Sequence, residues 1–219
     1  DHFPVVPFGN LFNNRYLSGI HQPEPIALNR FFRTAGLTLL AFIFASAVSG
    51  QKINDSFQLH VHRASSPIRI DGVMNEAAWA DAETASNFYM VLPMDTSHSR
   101  ARTDVKMTYD DENIYLIAIC YHPPRPYLVE SLRRDFTFGK NDNFLVFIDP
   151  FDDQTNGFSF GANAAGAQWD GTMYEGGKVD LSWDNKWSSV VKNYPEYWIF
   201  EAAIPFKSIR YKTGILKWG

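Results

Sequence analysis

From Phe57 onward the chain is dominated by short segments in which apolar and polar residues alternate. A period of two is the mark of half-buried strands. Phe57, Leu59 and Val61 start the pattern, and Ser65-Ser66-Pro67 turns the chain into Ile68-Arg69-Ile70. Asp71-Gly72 is a further turn signal. Asn75 then predicts the cap of one short helical turn, Glu76 to Asp81, that buries Trp79. The clearest hairpin follows: Val105, Met107 and Tyr109 alternate, residues 110–113 turn, and Ile114 to Tyr121 run apolar until Pro123 and Pro124. Phe144 to Ile148 is another apolar strand, ended by Asp149-Pro150. Phe158, Phe160 and Ala162 alternate after Gly157, and Gln168 to Tyr174 follows a small-residue turn. Ser188 to Lys192 pairs with Tyr197 to Ile204 across Tyr194-Pro195-Glu196, with Trp198, Phe200, Ala202 and Ile204 on one face. About eight or nine short strands with regular turns predict an all-β fold, an antiparallel β-sandwich. Lys217-Trp218-Gly219 reads as the start of a further strand, so the sandwich is expected to lack a C-terminal strand here.

The first fifty residues break the pattern. Arg30 and Arg33 precede an apolar stretch from Ala35 to Phe44, and small residues follow from Ala45 to Gly50. This is the three-part plan of a secretory signal peptide, assigned to residues 28–50, with cleavage after Ala47 or Gly50. The apolar stretch of about 14 residues is short of a bilayer span. No cysteine lies nearby, so a lipid-anchored N-terminus is not indicated. Residues 1–27 contain four Pro and no clear period. They read as an upstream or disordered segment, and residues 51–219 as the folded domain.

Composition narrows the function classes. The 219 residues are 45% hydrophobic and 20% charged, enough for a packed core. Aromatics reach 16%, which suits strands and also supplies rings on which a ligand can stack. The net charge is -4 and no basic run appears, which argues against a nucleic-acid partner. Cys120 is the one cysteine, so no intramolecular disulfide forms and paired-cysteine zinc sites are excluded. Its apolar surroundings predict an inert buried thiol.

Four blocks carry a family resemblance. Ile70-Asp71-Gly72 with Asn75-Glu76 and Trp79 is the first. Tyr109-Asp110-Asp111-Glu112-Asn113-Ile114-Tyr115 is the second, Asn141 to Asp149 the third, and Trp198 to Phe206, with Glu201 and Ile204-Pro205, the fourth. In this order, over about 150 residues, they resemble the family 9 carbohydrate-binding modules. Leu132-Arg133-Arg134-Asp135, the Asp149 to Asp153 turn, Gly161 to Asp170 and Asp180 to Asp184 narrow the resemblance. They are similar to a bacterial group in which such a module precedes a C-terminal outer-membrane β-barrel. The resemblance implies sugar binding between two Trp side chains, and structural calcium. One of those Trp positions falls at Phe136 or Phe138 here, and the other lies past Gly219.

Residue chemistry adds local candidates. Trp169, Trp183 and Trp187 sit among Asp170, Asp180 and Asp184, and read either as a stacking platform or as packing of the sandwich ends. Arg133, Arg134 and Asp135 read as a polar clamp or a solvated surface run. Asp149, Asp152, Asp153 and Asn156 offer oxygen ligands of the kind calcium takes, though not at EF-hand spacing. His60 and His62 share a strand face with no third metal ligand in view. Gly157-Phe158-Ser159-Phe160-Gly161 matches the Gly-x-Ser-x-Gly spacing, yet lacks the helix that a nucleophile elbow needs.

The leading expectation is an exported, non-catalytic module that binds an oligo- or polysaccharide in the periplasm, outer membrane or cell surface of a Gram-negative bacterium. One alternative is a structural or plug-like domain of an outer-membrane barrel in the same polypeptide. Another is an accessory module to a downstream glycoside hydrolase.

Overall fold

The second family block builds the central hairpin. In a computed structural model, which describes residues 57–90, 97–122 and 126–219, β3 (Thr103–Tyr109) pairs antiparallel with β4 (Asn113–Tyr121). Asp110 makes the turn between them. Its Oδ1 accepts the N–H of Glu112 and of Asn113, both at 2.8 Å, and its Oδ2 accepts the Tyr115 hydroxyl at 2.8 Å. A carboxylate thereby satisfies the backbone donors that the turn leaves over. The upstream segment, the signal-peptide region and the strand stop at Pro123 and Pro124 fall outside the described residues.

β10 (Tyr197–Pro205) lies between β4 and β9 (Ser188–Asn193), antiparallel to both. β1 (His62–Arg63) and β2 (Thr84–Ala85) both pair with β3, completing the first sheet. The second sheet is a meander of β5 (Asn143–Ile148), β6 (Gly157–Asn163), β7 (Gln168–Tyr174) and β8 (Lys178–Asp180). These two sheets form the expected sandwich.

The register explains the core. Trp198, Phe200, Ala202 and Ile204 stand opposite Cys120, Ala118, Leu116 and Ile114. All eight are buried, and they meet Phe158, Phe160 and Ala162 of β6. Phe144 approaches Phe200 at 5.6 Å between ring centres, and Trp187 approaches Phe160 at 5.4 Å, so rings join the sheets. Each such side chain contributes about 1.5–3 kcal/mol through burial. The Cys120 thiol is pushed up to about 12 by burial.

The other face of the first sheet is covered as well. Tyr115, Ile117, Ile199 and Ala203 lie beneath Ile68, Ile70 and Trp79. Strands buried on both faces lose the period of two, which is why Ile114 to Tyr121 read as a continuous apolar run. Trp79 belongs to α1 (Ala77–Asp81) and is 1% exposed. Asn75 does not cap this helix: Glu76 occupies the cap position without a side-chain bond, and Ser66 Oγ accepts the Ala78 N–H at 3.2 Å. Lys106 closes the other end, donating Nζ to the carbonyls of Trp79 and Ala82 at 2.7 and 2.9 Å.

The segment Phe57 to Val61 departs from its alternating pattern. Pairing begins only at His62, and Phe57 is 68% exposed. The edge of β3 is divided between β1 and β2, so no long partner remains for these residues to pleat against. At the other end, Gly219 and Asp149 exchange both backbone bonds, at 2.8 and 2.9 Å.

Candidate functional site

The loop between β8 and β9 positions the site. Asn185 ties it to both sides of the sandwich. Its backbone N–H donates to Asp170 Oδ2 at 3.1 Å, and its Nδ2 donates to the Ser208 carbonyl at 2.7 Å. Ser208 returns a bond from Oγ to the Lys186 carbonyl at 2.8 Å. Trp183, held within this loop, is half-buried and packs on Phe158 at 5.2 Å and Phe160 at 6.0 Å between ring centres. It lines a groove of about 610 Å³. Tyr174 and Phe151 add aromatic wall, Asn156 and Asn185 add amides, and Lys207 and Arg210 add charge.

The structure separates the three candidate tryptophans. Trp183 lines the groove just described. Trp169 is 3% exposed in β7, with its ring 6.2 Å from Phe147, and Trp187 is 8% exposed in the core against Phe160 and Phe200. Phe136 is 3% exposed. These three rings are buried, so Trp169 and Trp187 take the packing alternative despite their polar neighbours in sequence, and Phe136 offers no exposed ring. Phe138 is 61% exposed, at the start of the short 3₁₀ turn Phe138–Lys140, and does not line the groove.

A second cluster adjoins the loop from its other side. Arg134 contacts the Asp170 carboxylate through Nη2, Gln168 Oε1 through Nη1 at 3.0 Å, and Asp184 Oδ1 through Nε at 2.7 Å. Asp135 Oδ2 lies 3.9 Å from the same Nε. Asp135 holds a left-handed backbone, φ 56°, a conformation that costs a non-glycine residue energy. Asp170 is fully buried, and burial raises its carboxyl above the usual range against the opposing pull of the Asn185 N–H and Arg134. Asp135 is raised by burial too. Arg134, Asp184, Asn185 and Lys186 line an open cavity of about 560 Å³ here. Of the three residues that read as a clamp or a solvated run, Arg134 and Asp135 group with Asp170 and Asp184, while Arg133 stays exposed.

The Asp-rich turn does not fit calcium. Asp149 Oδ1 accepts the Phe151 N–H at 2.9 Å, and its Oδ2 accepts those of Asp153 and Gln154 at 2.9 and 2.7 Å. Asp153 accepts the N–H of Thr155 and Asn156, both at 2.8 Å, and Asn156 Nδ2 at 2.9 Å. Positive N–H ends crowd these oxygens, and Asp152 is an exposed turn residue. Calcium would need six to eight oxygens facing one point. Among the described residues no group of three or more His, Cys, Asp or Glu can hold a metal. His60 instead bonds Glu83 through Nδ1 at 3.0 Å. Ser159 is buried mid-strand in β6, where its hydroxyl donates to the Gly171 carbonyl at 3.1 Å, so the Gly-x-Ser-x-Gly spacing makes no elbow.

Sequence reading missed Tyr174, Asn185, Lys207 and Arg210. Asn185 follows Trp183 and Asp184 directly, a signal within reach. Lys207 and Arg210 carried none, since only the fold brings them beside Trp183.

No curated protein matches the chain. A family 9 carbohydrate binding module from Caldicellulosiruptor kristjanssonii in complex with glucose is 15% identical with a TM-score of 0.47, over 67% of this chain and 68% of that one. A structure of a family 9 module from the same organism with cellotriose is 16% identical with a TM-score of 0.46, over 66% of each chain. Residues 70–217 match the family described as "Carbohydrate family 9 binding domain-like", more than half of the chain. The four sequence blocks and the sandwich agree with that match, and the chain belongs to the carbohydrate family 9 binding domain-like family.

Proposed function

We propose that this chain is a non-catalytic carbohydrate-binding module of an exported protein, and that it holds an oligosaccharide in the groove beside Trp183. The observation that carries the reading is Trp183 itself, half-buried, braced from behind by Phe158 and flanked on the groove by Asn156 and Asn185. The apolar face of a sugar ring packs on an indole, while amides read its hydroxyls. Bracing fixes the ring in advance, so little freedom is lost when sugar arrives. The described side chains along this groove are aromatic, aliphatic, amide, hydroxyl or basic. Such a lining grips a sugar and lacks the carboxylate pair that hydrolysis uses.

The leader-like residues 28–50 support export to the periplasm, outer membrane or cell surface. A barrel in the same polypeptide belongs to this proposal through the narrower resemblance.

Calorimetric titration of the chain with a panel of oligosaccharides tests the reading. Saturable binding is expected, weakened at least tenfold in Trp183→Ala, with the melting curve confirming that the variant is folded. No heat with any glycan overturns it and favours the structural role beside a barrel, a reading to which the burial of Trp169, Trp187 and Phe136 already lends weight.

A further inference from the structure

We infer that the groove beside Trp183 is built for an acidic oligosaccharide, one whose rings carry a carboxylate or a sulfate. This rests on the reading of that groove as the glycan site. The charged side chains lining it are Lys207 and Arg210, both basic and both exposed. They are set there by the backbone between them. Ile209 is 6% exposed and belongs to the core, and Ser208 is 6% exposed and bonded to Asn185 and Lys186. With those two residues anchored inward, the flanking cations are carried at the groove wall beside Trp183.

Six cations elsewhere in the fold are paired, although Arg133, Lys186, Lys192, Lys212 and Lys217 also stand without a carboxylate partner among the described residues. Arg63, Arg69, Arg102 and Arg134 each meet an aspartate, while Lys140 and Lys178 each meet a glutamate. Lys207 and Arg210 have no carboxylate within ion-pair distance among the described residues. The local sequence agrees. Residues 202–219 contain Lys207, Arg210, Lys212 and Lys217 and no acidic residue, in a chain whose net charge is -4. The nearest acidic turn supplies Phe151 and Asn156 to the groove, but its Asp153 oxygens are engaged by Thr155 and Asn156.

An anionic substituent matches this wall. A guanidinium offers paired N–H donors in the plane that a carboxylate or sulfate accepts, and an ammonium adds a point charge. A sugar stacked on Trp183 would present its ring substituents to Lys207 and Arg210. Both cations face water, so the preference is graded rather than absolute, on the order of tenfold.

The test uses ligands that differ only in charge. The full chain is titrated with cellotriose, its C6-oxidised triuronate and its 6-sulfated form, and with galactotriose and trigalacturonate. The acidic member of each set is expected to bind about tenfold tighter than the neutral one. That advantage should shrink at high salt. Lys207→Gln with Arg210→Gln should abolish the advantage, bringing the acidic ligands down to the affinity of their neutral counterparts in the same variant, whereas Trp183→Ala should weaken every ligand. Equal affinity for neutral and acidic sugars, or a preference that survives the double variant, overturns the acidic assignment and leaves the glycan site standing. Binding of none of the five overturns the glycan site and this inference together.

Discussion

Glu201 and Asp170 are both fully buried, yet the fold treats them differently. Glu201 points from β10 to the outer face of the first sheet. It accepts the N–H of Asp71 at 2.9 Å, the N–H of Gly72 at 2.8 Å and the Trp79 indole N–H at 3.2 Å. Every partner is a fixed neutral donor, and the covering segment seals it. Asp170 points from β7 to the inner face, level with Phe160, where the loop and Arg134 reach it. Its cation partner is 34% exposed and lines an open cavity. Burial of an acid therefore does not by itself mark a site. A carboxylate saturated by backbone donors pins the chain, whereas one held by a partly exposed cation stays connected to whatever occupies the neighbouring space.

The largest effect should come from breaking the sealed acid. Glu201→Ala leaves two backbone donors and an indole donor buried without acceptors, a loss on the order of 4 kcal/mol. Urea denaturation reads it directly. An unchanged midpoint would mean that the 71–79 segment does not depend on this anchor. Gly72 adds to the same lock: its φ is +73° and an added Cβ would meet Lys192 Cβ at 2.8 Å. Arg134→Ala should cost less, about 2 kcal/mol, because the exposed guanidinium is screened while Asp170 is left without its cation. Adding Asp170→Asn to Arg134→Ala should restore part of that loss, since the uncompensated charge is gone. A double variant as unstable as the summed single changes would show that the two residues are not coupled.

This contrast also shows what sequence could carry. The family blocks are the parts of the chain that lock one another. Ile70-Asp71-Gly72 and Trp79 of the first block are held by Glu201 of the fourth, and Asp110 of the second makes its own hairpin turn. Such residues read well because their spacing is fixed by local geometry and by strand register. The site read poorly because its members meet only through the fold. Arg134 reaches Asp184, fifty positions along the chain, and Trp183 and Arg210 line one groove from separate segments. Trp169 shows the converse. Gln168 and Asp170 flank it in sequence, but adjacent strand residues point to opposite faces, so polar neighbours said nothing about its surroundings.

Acid titration sharpens the comparison further. Burial raises the Glu201 carboxyl above the ordinary range, against the pull of its three donors. A carboxyl whose pKa is higher folded than unfolded favours the fold when protonated. Its contribution is complete below the ordinary Glu value and is lost as pH rises through the raised value. Asp170 and Asp135 shift the same way. Exposed Asp153 and Asp180 shift the other way, through hydrogen bonds from Asn156 and Ser182, so what they contribute is present at neutral pH and is lost only as pH falls below the ordinary Asp range. Melting curves should therefore show the gap between the native chain and Glu201→Gln widening as pH falls from about 7.5 to 5, because Gln does not titrate. A gap that stays constant over this window would mean that the Glu201 pKa is not raised in the fold.

Asp149 provides the finest test, and its expected effect is none. It is 8% exposed and accepts three backbone N–H groups, the same saturation as Glu201, although it sits in an open turn beside exposed carboxylates. If donor saturation rather than location decides what a buried acid can do, this turn is already complete. Millimolar calcium, or a chelator, should then leave the melting temperature where it was. A clear upward shift with calcium would require the N–H groups of Phe151, Asp153 and Gln154 to turn away and release the oxygens. Asp149 would then join Asp170 among the acids open to an outside partner, and the line drawn between Glu201 and Asp170 would have to follow access to solvent instead of the kind of donor.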